Sequence, residues 1–181
     1  MKKNILILST GSIAVVKLVK IIQGIKDEFN VQVVLTESAS KLVDANDLDC
    51  KVYKDQDEWK DFKAIGDDIL HIELRKWADL IVIAPLSANS LAKISNGLCD
   101  NLLTSILRAK DDETKVIAFP SMNTYMYKNP LTAIQLDILR NILGFYLFGP
   151  IEKTLACGDS GIGAMSEYQD IINLIYEFSM H

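Results

Sequence analysis

A chain of 181 residues, 49% apolar and 24% charged, can bury one core of ordinary domain size without disulfide or metal staples. A formal net charge of −5 argues against a nucleic-acid partner, while an anionic ligand held by backbone N–H groups stays compatible with it. Cys50, Cys99 and Cys157 are odd in number, widely spaced and not paired as zinc ligands, which excludes a disulfide framework and fits a reducing, cytoplasmic compartment.

Met1-Lys2-Lys3 followed by Ile5-Leu6-Ile7-Leu8 has the outline of a secretory leader. The apolar run breaks at Ser9-Thr10-Gly11-Ser12, Lys17 follows and no small-residue cleavage site is evident, so the segment reads as a buried first strand, Asn4–Ser9. A helix is expected over 14–25 and a strand over 31–35. Residues 44–68 form a polar, acidic connection, read with a short helix around Trp59. Strands over 80–84, 116–119 and 144–148 alternate with helices over 91–94, 98–109 and 131–143. Gly149-Pro150 ends this series and opens a final loop that runs to Gly163. The last helix, Tyr168–Ser179, carries Ile171, Ile172, Leu174, Ile175 and Phe178 on one face.

Continuous apolar strands alternating with amphipathic helices indicate parallel strands buried on both sides. The fold class is α/β: a three-layer sandwich around a central parallel sheet, flavodoxin-like or Rossmann-like in order, over one domain spanning 1–181. No segment reaches membrane-spanning length.

Small polar residues gather where these strands end, which is where open α/β sheets bind ligands. Thr10-Gly11-Ser12 follows the first strand and offers N–H donors and a helix N-terminus to a phosphate; it also reads as a plain capped turn. Lacking GxGxxG, it suits a mononucleotide better than a dinucleotide. Thr36-Glu37-Ser38-Ala39 repeats the pattern after the second strand. Ser87-Ala88-Asn89-Ser90 brings two hydroxyls and an amide with no charge, suited to a neutral heteroaromatic ring or a phosphate, or to a helix cap. Asn123, after Pro120-Ser121-Met122, can hold a carboxylate or cap the next helix. His71, in Leu70-His71-Ile72-Glu73-Leu74 just before a strand, is the non-terminal group that titrates near neutrality unaided; among apolar neighbours it also reads as a core residue. Cys157 sits in a Gly/Asp loop, a poor place for a core cysteine, whereas Cys50 and Cys99 read as structural.

At these residues the chain resembles the flavin-dependent cysteine decarboxylases. The resemblance rests on Thr10-Gly11-Ser12-Ile13-Ala14, His71-Ile72-Glu73-Leu74-Arg75, the Ala84-to-Ser90 tract, Gly97-Leu98-Cys99-Asp100-Asn101-Leu102-Leu103-Thr104, the Pro120-to-Met126 tract and Ala156-Cys157-Gly158-Asp159, in the family's order. Ser90 stands for a usual Thr, Ser121 for a usual Ala and Tyr127 for a usual Trp; none removes a reactive group.

The resemblance implies FMN as cofactor and phosphopantothenoylcysteine, of coenzyme A biosynthesis, as the small-molecule substrate of a stand-alone enzyme. It implies His71 as base in an oxidative half-reaction, Asn123 as holder of the substrate carboxylate, and Cys157 as the acid that protonates an enethiolate. FMN is expected against Gly11, Ser12, Ile13, Thr36, Ser38, Ser87, Ala88, Asn89, Ser90 and Ser121. Ala156 and Met165 are expected to clamp substrate beside Asn123. Active sites between protomers of a homotrimer are implied as well. Other readings of the same fold are a peptidyl-cysteine decarboxylase, a flavin prenyltransferase and a non-catalytic flavin-binding regulator of a phosphatase.

Overall fold

The computed structural model describes residues 2–154, 158 and 160–180. Six parallel strands form the central sheet: β1 (Asn4–Ser9), β2 (Asn30–Leu35), β3 (Lys51–Lys54), β4 (Leu80–Leu86), β5 (Lys115–Pro120) and β6 (Tyr146–Leu147). Their order is β3-β2-β1-β4-β5-β6. This is the doubly wound order of nucleotide-binding α/β sheets, with β1 and β4 adjacent at its centre. A separate antiparallel hairpin joins β7 (Ile151–Thr154) to β8 (Ser160–Ala164).

Period-two alternation splits the sheet's side chains between two cores. Ile5, Ile7, Val33, Val82 and Phe119 pack under α1 (Leu18–Ile25) and α8 (Tyr168–Ser179). Leu6, Leu8, Val34, Ile81 and Ile83 face α3 (Leu70–Trp77), α4 (Ala88–Ser95), α5 (Leu102–Arg108) and α7 (Pro130–Asp137). All seven residues of β4 are buried. Each fully buried Ile or Leu contributes about 1.5–3 kcal/mol by leaving water, so the centre of the sheet is the most firmly held part of the molecule. Two short helices, α2 (Glu37–Ser40) and α6 (Thr124–Lys128), follow β2 and β5.

Several expected elements are corrected. The helix expected from residue 98 starts at Leu102, because Asn101 caps it: its Oδ1 accepts from the Thr104 N–H at 2.8 Å, and Thr104 Oγ1 accepts from the Asn101 N–H at 3.3 Å. The first helix opens as a 3-10 turn, Ile13–Lys17, and α7 ends in a π turn, Ile138–Ile142. The strand expected over 144–148 shrinks to two residues, since the Phe145 N–H donates back to Leu139 O. The 44–68 connection has no helix at Trp59; it holds 3-10 turns at Ala45–Asp47 and Asp55–Asp57 and the edge strand β3, whose Lys51-Val52-Tyr53-Lys54 is too polar and short to stand out. The final loop is instead the β7–β8 hairpin. His71 lies in the first turn of α3, a helix the apolar pattern did not reveal.

Candidate functional site

The strand order reverses between β1 and β4, and the loops leaving their C-terminal ends part to form a crevice. Buried hydroxyls tie its floor. Ser9 Oγ donates to Ala84 O at 2.6 Å, Thr10 Oγ1 donates to Pro85 O at 2.8 Å, and the Ser87 N–H donates to Thr10 Oγ1 at 2.7 Å. On the β5 side the Ser121 N–H donates to Leu86 O at 2.9 Å. Ser12 and Ser121 then meet across the cleft, their hydroxyl oxygens 2.8 Å apart.

The cleft above this floor has a volume of about 540 Å³, within the roughly 300–1,000 Å³ of small-molecule sites. Gly11, Ser12 and Ile13 line it from the β1 loop, and Ser87, Ala88 and Asn89 from the β4 loop. Ser121 and Asn123 line it from the β5 loop, and Met165 closes the far wall. These nine were expected at the site from sequence, and the fold brings them to one cleft.

The caps and the site are the same residues. Ser87 Oγ accepts from the Ser90 N–H at 3.3 Å, and Asn123 Oδ1 accepts from the Tyr125 N–H at 2.8 Å. Three other expected residues are not among those lining the cleft. Thr36 caps α2, its Oγ1 accepting from the Ala39 N–H at 3.2 Å. Ser38 seats against Gly11, where an added Cβ would lie 2.5 Å from Ser38 Cβ, so the β1 loop tolerates only glycine there. Ser90 is buried in the first turn of α4.

The hairpin forms a flap over the β5 loop. The Met122 N–H donates to Gly163 O at 2.9 Å, and a Cβ on Gly163 would come 2.2 Å from Met122 O. Ala156 and Cys157 lie outside the described residues, in the stretch that joins β7 to β8.

Two cations on the cleft wall were not expected from sequence. Lys17 and Lys153 both donate to Glu167, to Oε2 at 3.1 Å and Oε1 at 2.6 Å. The Lys153 hydrogen bond, followed by the Lys17 one, holds the Glu167 carboxyl below its ordinary value. Lys17 is the lone charge between residues 4 and 19, and that isolation was the signal available. Met126, the last residue of the Pro120-to-Met126 tract, and Leu42, which no sequence pattern marks, also line the cleft.

His71 does not line the cleft of its own chain. Its Nδ1 lies 2.5 Å from Oε1 of Glu58, whose side chain is only 9% exposed. Cys50 is no candidate nucleophile, because burial pushes its thiol up to about 11. Among the described residues no cluster of ligating side chains could hold a metal, and no helix is long and apolar enough to cross a membrane.

A family profile described as Flavoprotein matches residues 1–180. The phosphopantothenoylcysteine decarboxylase of Oryza sativa subsp. japonica is 48% identical over 168 residues, 92% of this chain and 76% of that protein. That of Arabidopsis thaliana is 45% identical over 185 residues, 99% and 88% of the two chains. Among solved structures, a Cys-to-Ser mutant of PPC decarboxylase complexed with pantothenoylaminoethenethiol aligns with a TM-score of 0.96 and 43% identity over all of both chains. The FMN binding protein AtHal3 aligns at 0.91 with 44% identity, covering 98% of this chain and 97% of that one.

Proposed function

The chain belongs to the flavoprotein family, and on that premise we propose that it is an FMN-dependent decarboxylase that converts 4'-phosphopantothenoylcysteine to 4'-phosphopantetheine in coenzyme A biosynthesis. The observation that carries this reading is the cleft at the sheet's reversal point, where strand-end loops bring uncharged hydroxyls and amides together beside Gly11, whose added Cβ would meet Ser38. Those residues fit FMN: Gly11, Ser12, Ser87, Ala88 and Asn89 would hold it at two helix N-termini, with Ser121 against it. Lys17 and Lys153 outnumber the one carboxylate between them, which favours a substrate with an anionic end over a neutral peptide.

An N-acylated cysteine cannot simply lose CO2, because the carbanion left beside the amide nitrogen has no electron sink. When bound, FMN would supply the two-electron oxidation that makes the thiol a thioaldehyde and would take part again in the reductive half. His71 is the base that takes the substrate proton in the oxidative half. Asn123 holds the carboxylate without adding a charge that would resist its departure. Loss of CO2 leaves an enethiolate, whose α-carbon takes its proton from the Cys157 thiol.

The family resemblance implies a homotrimer, and the position of His71 outside its own chain's cleft is in keeping with His71 of one protomer serving the cleft of the next. A single FMN-binding domain over residues 1–181 in the cytoplasm completes the reading, in keeping with free thiols at Cys50 and Cys99. The test is to incubate the purified yellow protein with phosphopantothenoylcysteine and follow the product by mass spectrometry. Loss of CO2 is expected; intact substrate beside FMN-loaded protein overturns the assignment.

A further inference from the structure

We propose that Glu58 is the positioning residue for His71, fixing the tautomer and aim of the imidazole. This rests on His71 acting as the base described above.

Glu58 directly follows the 3-10 turn Asp55–Asp57, thirteen residues before His71, and no sequence motif marks it. The turn is anchored from both ends. Asp55 Oδ1 accepts from the Leu102 N–H at 3.1 Å, tying the turn to the start of α5, and Asp57 Oδ2 accepts from the Lys54 N–H at 2.8 Å, tying it to β3. Burial raises the Asp55 carboxyl, as expected of a group spent on holding backbone rather than facing water. Glu58 is therefore delivered on a fixed backbone.

Its carboxylate is used on one side only. Oε1 meets His71 Nδ1 at 2.5 Å, whereas the buried Oε2 has no hydrogen-bond partner among the described residues. Leaving a buried polar oxygen unpaired costs about 1–3 kcal/mol. A residue kept only for stability would be better replaced by an apolar one of similar volume. Accepting from Nδ1–H keeps the neutral imidazole as the tautomer with its lone pair on Nε2, the atom left to face a substrate. When Nε2 takes a proton, the same carboxylate stabilises the resulting imidazolium, and no proton need pass to Glu58.

The test uses the FMN-loaded full chain and stopped-flow anaerobic reduction of the flavin by substrate. Glu58→Gln and Glu58→Ala should slow reduction by about 10- to 100-fold, below the 10²–10⁴ expected for loss of a general base itself, with FMN content and KM unchanged. Glu58→Asp should recover part of the rate. In a His71→Asn background Glu58→Gln should cost nothing further, because it acts only through the imidazole. Wild-type reduction by Glu58→Gln and Glu58→Ala overturns the proposal. So does an equal penalty in both backgrounds, or a rate loss that merely tracks lost FMN. Normal reduction by His71→Asn alone would instead sink the assignment of the base.

Discussion

Around the sheet's centre every side chain from Ile5 to Thr10 and from Leu80 to Ser87 is buried, whereas residues 59–68 are exposed throughout, with Trp59 at 60% and Ile65 fully open. Both regions adjoin residues of the proposed site. The first completes its half within one chain: strands, caps and cleft wall are one hydrogen-bonded unit. The second lies between Glu58 and His71, which meet at 2.5 Å, and presents Trp59 and Phe62, edge to face with ring centroids 5.8 Å apart, to solvent. The proposed cofactor cleft is thus lined within one chain, whereas His71 and Glu58 lie outside that lining.

The sharpest way to break this contrast is complementation. His71→Asn should lower flavin reduction by about 10²–10⁴ while FMN stays bound. Mixed oligomers assembled from His71→Asn and the cofactor-blocked Gly11→Val should regain activity, because one partner supplies the flavin and the other the imidazole. Mixtures as inactive as either parent would show that base and cofactor come from the same chain.

Cys157→Ser separates the two halves in time. CO2 release should persist while an oxidised enethiol, two hydrogens lighter than the aminothiol, accumulates in mass spectra. Fully reduced product at the wild-type rate would remove Cys157 from the proton step.

Gly11→Val by itself should yield a folded, colourless protein, since its side chain meets Ser38 where a Cβ already lies 2.5 Å away. Full FMN occupancy by absorbance would mean that the β1 loop yields.

The smallest effect concerns Glu167. Its folded value is lowered, so its stabilisation is complete above the ordinary 4.5 and fades as pH falls through the folded value. With the carboxylate 38% exposed, solvent screening limits this to at most about 1 kcal/mol. Glu167→Gln should fall slightly short of wild type in melting temperature at pH 7 and match it only once pH has dropped below the lowered folded value of the carboxyl. An unchanged melting temperature at both pH values would show that the two lysine contacts contribute nothing to stability.

The central strands and the last helix were legible because burial on both sides demands unbroken apolar runs, and a single packed face demands 3.6-residue spacing. The strand-end hydroxyls were legible for a different reason: helix capping and ligand binding ask for the same small polar side chains at the same place. Residues 44–68 were opaque. Strand β3 sits at an edge, half-solvated, and needs no apolar signature. The hairpin was hidden by glycines in its second strand that serve close approaches, Gly163 to Met122 and Gly161 to Thr124. Glu58 was invisible because its partner is set by tertiary packing, and nothing in local spacing pairs residue 58 with residue 71.

The buried hydroxyls of Ser9 and Thr10, bonded to carbonyls of β4, carry a thermodynamic consequence. They make the floor of the cleft part of the sheet's own ladder, so it cannot loosen without parting β1 from β4. Amides there should exchange with solvent mainly through global unfolding, a pattern hydrogen exchange would check. A ligand seated on that floor therefore adds its full binding free energy, RT ln(1 + [L]/Kd), to the stability of the whole domain. Losing the cofactor and losing the fold become linked events, and the apoprotein is the form most open to heat and proteolysis.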